Sequence, residues 1–169
     1  MKGEKQMKKI KIFSLITILL GGLFLLSGCT SNNLEGSLED ILNDLNTYVY
    51  EDVAEDEKPM LGTINVLKDA PDNVEYYIGT TDIEYEEIIA SEPMMSSIAY
   101  SVVLVRMKDG ADIEAAKQEI LDNVNPAKWL CVEVPKEDVI VKNRGNVIIL
   151  IMVENSEIRE KLEKGFDEL

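Results

Sequence analysis

The chain has 169 residues and a formal net charge of −15, with 32 acidic against 17 basic side chains, two cysteines and no histidine. Without histidine, Ser-His-Asp and Cys-His catalysis, histidine-bound zinc and imidazole general bases are excluded. The negative charge repels nucleic acid and anionic polymers.

At the N-terminus, Lys2, Lys5, Lys8, Lys9 and Lys11, with Glu4 among them, precede fifteen uncharged residues, Ile12 to Leu26. As a helix this run would span only about 22 Å, short of the roughly 30 Å hydrocarbon core of a bilayer. A basic segment, an apolar segment of this length and small residues at its end predict an export signal rather than a membrane-spanning anchor. Met7 opens a tighter version, MKKIKIF, and is a second candidate start.

Leu26-Ser27-Gly28-Cys29 resembles the lipobox of bacterial lipoproteins. The resemblance covers the first 29 residues. It implies a diacylglycerol thioether on Cys29, cleavage before that cysteine, and a mature protein held on the extracytoplasmic face of the cell membrane. Two acyl chains anchor stably where one holds only marginally. Loss of residues 1–28 would remove five lysines and one glutamate, leaving 12 basic against 31 acidic residues and a net charge of −19. Such a surface is well solvated and draws cations or a basic partner. The remaining chain of roughly 140 residues suffices for one domain with a core and is too small for a two-lobed solute receptor. Cys131 is then the sole thiol, so no internal disulfide is expected, and its apolar setting, Trp129-Leu130-Cys131-Val132, predicts a buried, inert side chain.

Residues 30–36, TSNNLEG, read as a tether. Ser37 with Asp40 marks a helix start, and Leu34, Leu38, Ile41, Leu42, Leu45, Tyr48 and Val49 form one stripe, predicting an amphipathic helix over 38–50. Residues 51–59, EDVAEDEKP, lack the alternating ligands and turn glycine of a calcium loop and read as an acidic linker. Residues 61–73 are ambiguous, with a turn at 69–72. Val74 to Ile78 predicts a strand closed by Gly79, and Thr81 with Glu84 a short helix over 82–90, ended by Pro93. Ile98 to Met107, apolar on both alternating faces, predicts a strand covered on both sides or central in its sheet. Ile113, Ala116, Ile120, Leu121 and Val124 predict a helix stopped at Asn125-Pro126. Strands follow at 129–134, 139–141 and 147–153, with a hairpin loop at 143–146. A last helix, capped by Asn155 or Ser156, carries Ile158, Leu162, Phe166 and Leu169 on one face, with Glu157/Lys161 and Glu160/Lys164 pairs at i,i+4.

This order predicts an α+β two-layer sandwich, helices on one face of a mostly antiparallel sheet. The expected organisation is a signal peptide over 1–28, lipidated cysteine and tether over 29–37, amphipathic helix and acidic linker over 38–60, and an α+β domain over 61–169.

Four stretches together, YYIG at 76–79, SEPMMSSIAYSVVLVRMKDGADIEAAK at 91–117, NVNPAKW at 123–129 and GNVIILIM at 145–152, resemble a family of small uncharacterised lipoproteins of Gram-positive bacteria. The likeness covers roughly residues 74 to 153. It implies an extracytoplasmic α/β module and carries no activity or catalytic residue.

Chemistry-bearing residues are few. Met94 and Met95, beside small polar residues, offer an adaptable apolar contact surface or a soft-metal site; the plainer reading is a connection with one methionine in the core. Trp129, next to Lys128, is suited to stacking on a sugar or aromatic ligand, or to anchoring the core. Asp109, Asp112 and Glu114 cluster where a helix begins and read as capping groups before a cation site. Ser91 or Ser101 with a lysine base is conceivable, although there is no SxxK motif, and no Walker loop or GxGxxG is present. A glycosidase needs two carboxyls about 5–10 Å apart across a cleft, and no pair stands out. The expectation is a lipid-anchored, non-enzymatic binding module with no cofactor and no metal, meeting an envelope protein. The alternatives are a small-ligand or cation-binding lipoprotein serving a transporter or sensor, and a histidine-free envelope hydrolase.

Overall fold

The computed structural model describes residues 33–169; the segment expected to be an export signal, with Leu26, Ser27, Gly28 and Cys29, lies outside the described residues. In chain order the elements are α1 (Leu38–Val49), β1 (Leu61–Asn65), α2 (Val66–Asp69), α3 (Val74–Ile78), β2 (Tyr85–Pro93), β3 (Tyr100–Met107), α4 (Ile113–Asn123), β4 (Ile140–Arg144), β5 (Val147–Val153) and α5 (Ser156–Glu168). The strands form one sheet in the order β1-β2-β3-β5-β4, with every neighbouring pair antiparallel.

β3 and β5 lie at the centre, and their sequences explain why. Neither has a polar face: all seven residues of β5 are buried, as is all of β3 except Arg106. A strand with two apolar faces is stable only where both are covered. Val103, Val105, Ile148 and Leu150 face one core, packed by residues of α2, α3 and α4. Val102, Leu104, Ile149 and Ile151 face the other, packed by α1 and α5. The α+β class and the antiparallel sheet are those expected. The helices, however, cover both faces instead of one, because the central strands present two apolar surfaces and each needs a lid.

α1 is part of this fold. The Ser37 hydroxyl caps it, accepting from the Glu39 and Asp40 N–H groups. Leu38, Leu42, Leu45 and Val49 are fully buried against the sheet, each contributing about 1.5–3 kcal/mol by leaving water. Asp112 caps α4 through the Ala115 N–H, and Asn155 caps α5 through the Ile158 N–H. The β4–β5 hairpin closes over Gly145-Asn146 with Gly145 at φ 56°, the glycine-first pattern of a two-residue hairpin turn. In α5, Lys161 reaches Glu157, whereas Lys164 pairs with Glu168 instead of Glu160.

Three local expectations are corrected. Val74 to Ile78 is helical: Gly79 at φ 79° gives the left-handed C-terminal cap, its N–H bonding to Glu75 O at 2.8 Å, and this overrides the strand preference of Tyr76, Tyr77 and Ile78. Residues 82–90 are not a helix; from Tyr85 they form β2, because Ile88 and Ile89 are buried on opposite faces between β1 and β3. Residues 129–134 form no strand. There the backbone turns through Cys131, at φ 64°, and the thiol is exposed rather than buried.

Candidate functional site at one end of the sheet

The connection from β2 to β3, residues 94–99, gathers side chains that the core does not take in. Met94 is 78% exposed and Met95 57%, so neither methionine of the pair packs inside. Met94 N–H donates to Met60 O at 3.2 Å, bringing a third methionine, 70% exposed, alongside. Leu130 N–H donates to Ser96 O at 2.9 Å and adds an exposed leucine. Ile98 and Tyr76 complete the set. Among the described residues, these six are the large hydrophobic side chains left exposed, and all lie around this end of the sheet. Trp129 is buried, so it backs this surface and does not belong to it.

Two polar clusters sit behind the surface, one on each face of the sheet. On the α3/α4 face, Lys128 Nζ donates to Glu92 Oε1 at 2.5 Å and to Ser101 Oγ at 3.1 Å, while Ser101 Oγ donates to Glu92 Oε1 at 2.8 Å. The ammonium also lies 4.4 Å from the Tyr76 ring centre, 5.3 Å from Tyr77 and 5.6 Å from Trp129. Burial pushes the Lys128 ammonium below its usual range, with Glu92 opposing that shift. Ser101 is thus beside a lysine base, but no part of it is exposed, and Lys128 is almost as deeply covered. A nucleophile so placed has no path to a substrate. The cluster instead ties β2, β3 and the segment after α4 together beneath the apolar surface, much as a hydrogen-bonded buried pair does elsewhere. The Trp129 indole N–H beside it is buried without a partner.

On the opposite face, Asn46 Nδ2 donates to Ser91 Oγ at 3.2 Å, and Tyr100 Oη donates to Asn46 Oδ1 at 3.2 Å. Burial holds the Tyr100 phenol well above its usual range, and the adjacent Tyr50 adds to this. Just outside this cluster is a groove of about 150 Å³ lined by Tyr50, Pro59, Leu61, Ile98, Tyr100 and Ile158, together with Glu154.

The chain comes in at the other end of the sheet. Arg106, next to last in β3, donates to Leu34 O at 2.8 Å and Gly36 O at 2.6 Å. Near there, a cavity of about 210 Å³ is lined by Asp82, Glu84, Asp112 and Glu119 together with Ile83 and Met107. Two of its carboxylates are already engaged: Asp112 caps α4, and Glu119 accepts from Thr80 and Asn123. Among the described residues, no three His, Cys, Asp or Glu side chains are grouped to hold a metal ion.

Of the residues marked by sequence, Met94 and Met95 come together with Met60, Ile98 and Leu130, which sequence did not mark. A lysine beside Ser101 was among the arrangements the sequence left open, but neither Lys128 as that lysine nor Glu92 as the third member was marked, because the three lie in separate segments. Compared with family models, curated proteins and solved structures, the chain gives no match in any of the three.

Proposed function

We propose that this protein is a lipid-anchored, non-enzymatic interaction module on the extracytoplasmic face of the cell membrane, held by diacylglycerol on Cys29 and meeting an envelope protein through its apolar end. One observation carries the reading: the exposed methionines lie at the end of β3 opposite to Arg106, which grips the incoming chain at Leu34 and Gly36. Tyr100 to Arg106 spans six residue steps, about 20 Å of strand. Cys29 precedes Leu34 by five residues, a reach of at most about 18 Å. An anchor at Cys29 therefore holds one end near the bilayer and leaves the other facing outward. Apolar side chains exposed singly are ordinary, whereas several gathered at one place and rimmed by polar residues mark an interaction site.

The test joins fractionation and crosslinking. Wild-type chain is expected in the membrane fraction, accessible to protease added outside the cell, with the Cys29 sulfur carrying diacylglycerol by mass spectrometry. Cys29→Ala is expected to leave the membrane. A photoreactive residue at Met94 should give protein adducts on intact cells, and one at Asp82 should not. A bare Cys29 sulfur, or adducts from Asp82 alone, would overturn the reading.

A second reading rests on the acidic cavity near Met107, whose apolar walls and carboxylates suit a small organic cation. Thermal stabilisation by simple amines, lost in Glu84→Gln, would favour it.

A further inference from the structure

The groove beside Ile98 and the acidic chain that frames it specify the partner more closely. This inference rests on the reading just given, that the apolar end is the working surface. We propose that this end docks a basic, amphipathic segment of an envelope protein, with one apolar side chain of that segment seated between Tyr50, Pro59, Leu61 and Ile98.

The groove has the size and lining for such an anchor. At about 150 Å³, it falls well below the roughly 300–1,000 Å³ of small-molecule sites. Its base is firm: Tyr100 and Val153 are buried strand residues, and Tyr100 is fixed through Asn46 and Ser91. Its rim is apolar and open at Ile98, next to Met60 and Met94. A preformed pocket surrounded by flexible methionines is how an interface takes an anchoring side chain while adapting around it.

The charge around the groove selects the rest of the segment. Tyr50 and Pro59, both lining residues, are the two ends of the loop that carries Glu51, Asp52, Glu55, Asp56 and Glu57, and every one of these acids is exposed. Glu154, which also lines the groove, adds a sixth. Against them stands Lys58, paired with Glu55 at 2.9 Å, while nearby Arg159 is bound to Asp138 and the Val153 carbonyl. A partner with lysines or arginines flanking its apolar anchor satisfies this rim and is steered onto it. An anionic bilayer surface meets repulsion there instead. So does a second copy, since a two-fold interface would set the same acids face to face. A neutral apolar partner would strip water from carboxylates without replacing it.

The experiment uses the full chain in intact cells with a photoreactive residue at Ile98. The adduct is digested and the crosslinked stretch of the partner identified. The expected result is a stretch from another protein with a clear excess of Lys and Arg around apolar residues. Adduct yield should drop at least ten-fold when Glu51, Asp52 and Glu154 are changed together to Lys, and recover when they are changed to Gln and Asn only in part. The proposal is overturned by a neutral or acidic partner stretch, by adducts with lipid or with another copy of this chain, by a yield indifferent to charge reversal, or by no adduct at Ile98. Membrane fractionation and the mass of the Cys29 peptide, taken on the same cells, report the lipid-anchor reading separately. A membrane-bound protein with a non-basic partner defeats only the inference; a cytosolic, unlipidated one defeats the reading beneath it.

Discussion

Lys128 Nζ lies 2.5 Å from Glu92 Oε1, with 2% and 11% of the two side chains exposed. Two charges that have both lost water depend on each other, and losing one leaves the other uncompensated. Lys128→Met is therefore expected to cost about 3–5 kcal/mol, because the Glu92 carboxylate loses its charged partner and is left with neutral hydroxyl donors such as Ser101. Lys128→Met combined with Glu92→Leu should cost less than Lys128→Met alone, since the stranded charge is gone. Equilibrium urea denaturation of the wild type, both single variants and the double variant measures the coupling. Strictly additive losses would show that the pair does not act as a unit.

Alkaline stability should separate the two buried clusters. An acid whose folded pKa is raised contributes stability that is complete below its unfolded value, about 10 for tyrosine, and is lost as pH climbs toward the folded value. Burial, then Tyr50, shift Tyr100 in that direction. Lys128 is shifted the opposite way for a base, chiefly by burial, so its contribution grows as pH rises toward about 10.5. Tyr100→Phe should accordingly flatten the fall in stability above pH 10, and Lys128→Met should steepen it. Urea midpoints across pH 8 to 11, compared with phenolate absorbance, test both signs.

Gly79 and Gly110 offer a controlled comparison, both having positive φ, 79° and 83°. A Cβ on Gly79 would lie on the backbone of Asn123 and Val124 at the end of α4, whereas one on Gly110 meets nothing within 4 Å. Gly110→Ala should cost about 1–2 kcal/mol for the left-handed backbone alone. Gly79→Ala should exceed that by at least ~1–3 kcal/mol, as overpacking does in a filled core. Similar losses in thermal denaturation would mean that α3 and α4 can part without penalty.

Gly79 also shows where sequence patterns succeed and where they stop. The stripes of α1, α4 and α5 and the apolar runs of β3 and β5 were legible because each element buries a periodic face, and periodicity is local information. The types of α3 and β2 were exchanged for the converse reason. Tyr76, Tyr77 and Ile78 favour a strand, and the Thr81/Glu84 capping pattern points to a helix after it, but the Gly79 cap and the pairing of β2 between β1 and β3 decide otherwise. The doubly apolar β3 and β5 already implied cover on both faces, a signal that the expectation of a one-faced sheet did not use. At the candidate site, Met94 and Met95 were visible as an oddity. Their union with Met60 and Leu130 depends on backbone hydrogen bonds across the sheet end, which no spacing rule reports.

The last prediction concerns how the chain is held at the opposite end. Arg106 is the one β3 residue not fully covered, and its guanidinium bonds to Leu34 O and Gly36 O while Nε lies 3.5 Å from Glu87. Hydrogen bonds from a charged donor contribute about 1.5–3 kcal/mol each when partly buried, yet the residues they fix, 34–37, add little to the core. Arg106→Gln should thus lower global stability modestly, by about 1–2 kcal/mol, while freeing the segment before α1 well below the global unfolding energy. Amide hydrogen exchange is expected to speed up at residues 34–38 and stay unchanged in β3 and β5. Uniform acceleration throughout would make Arg106 a part of the core rather than a clasp.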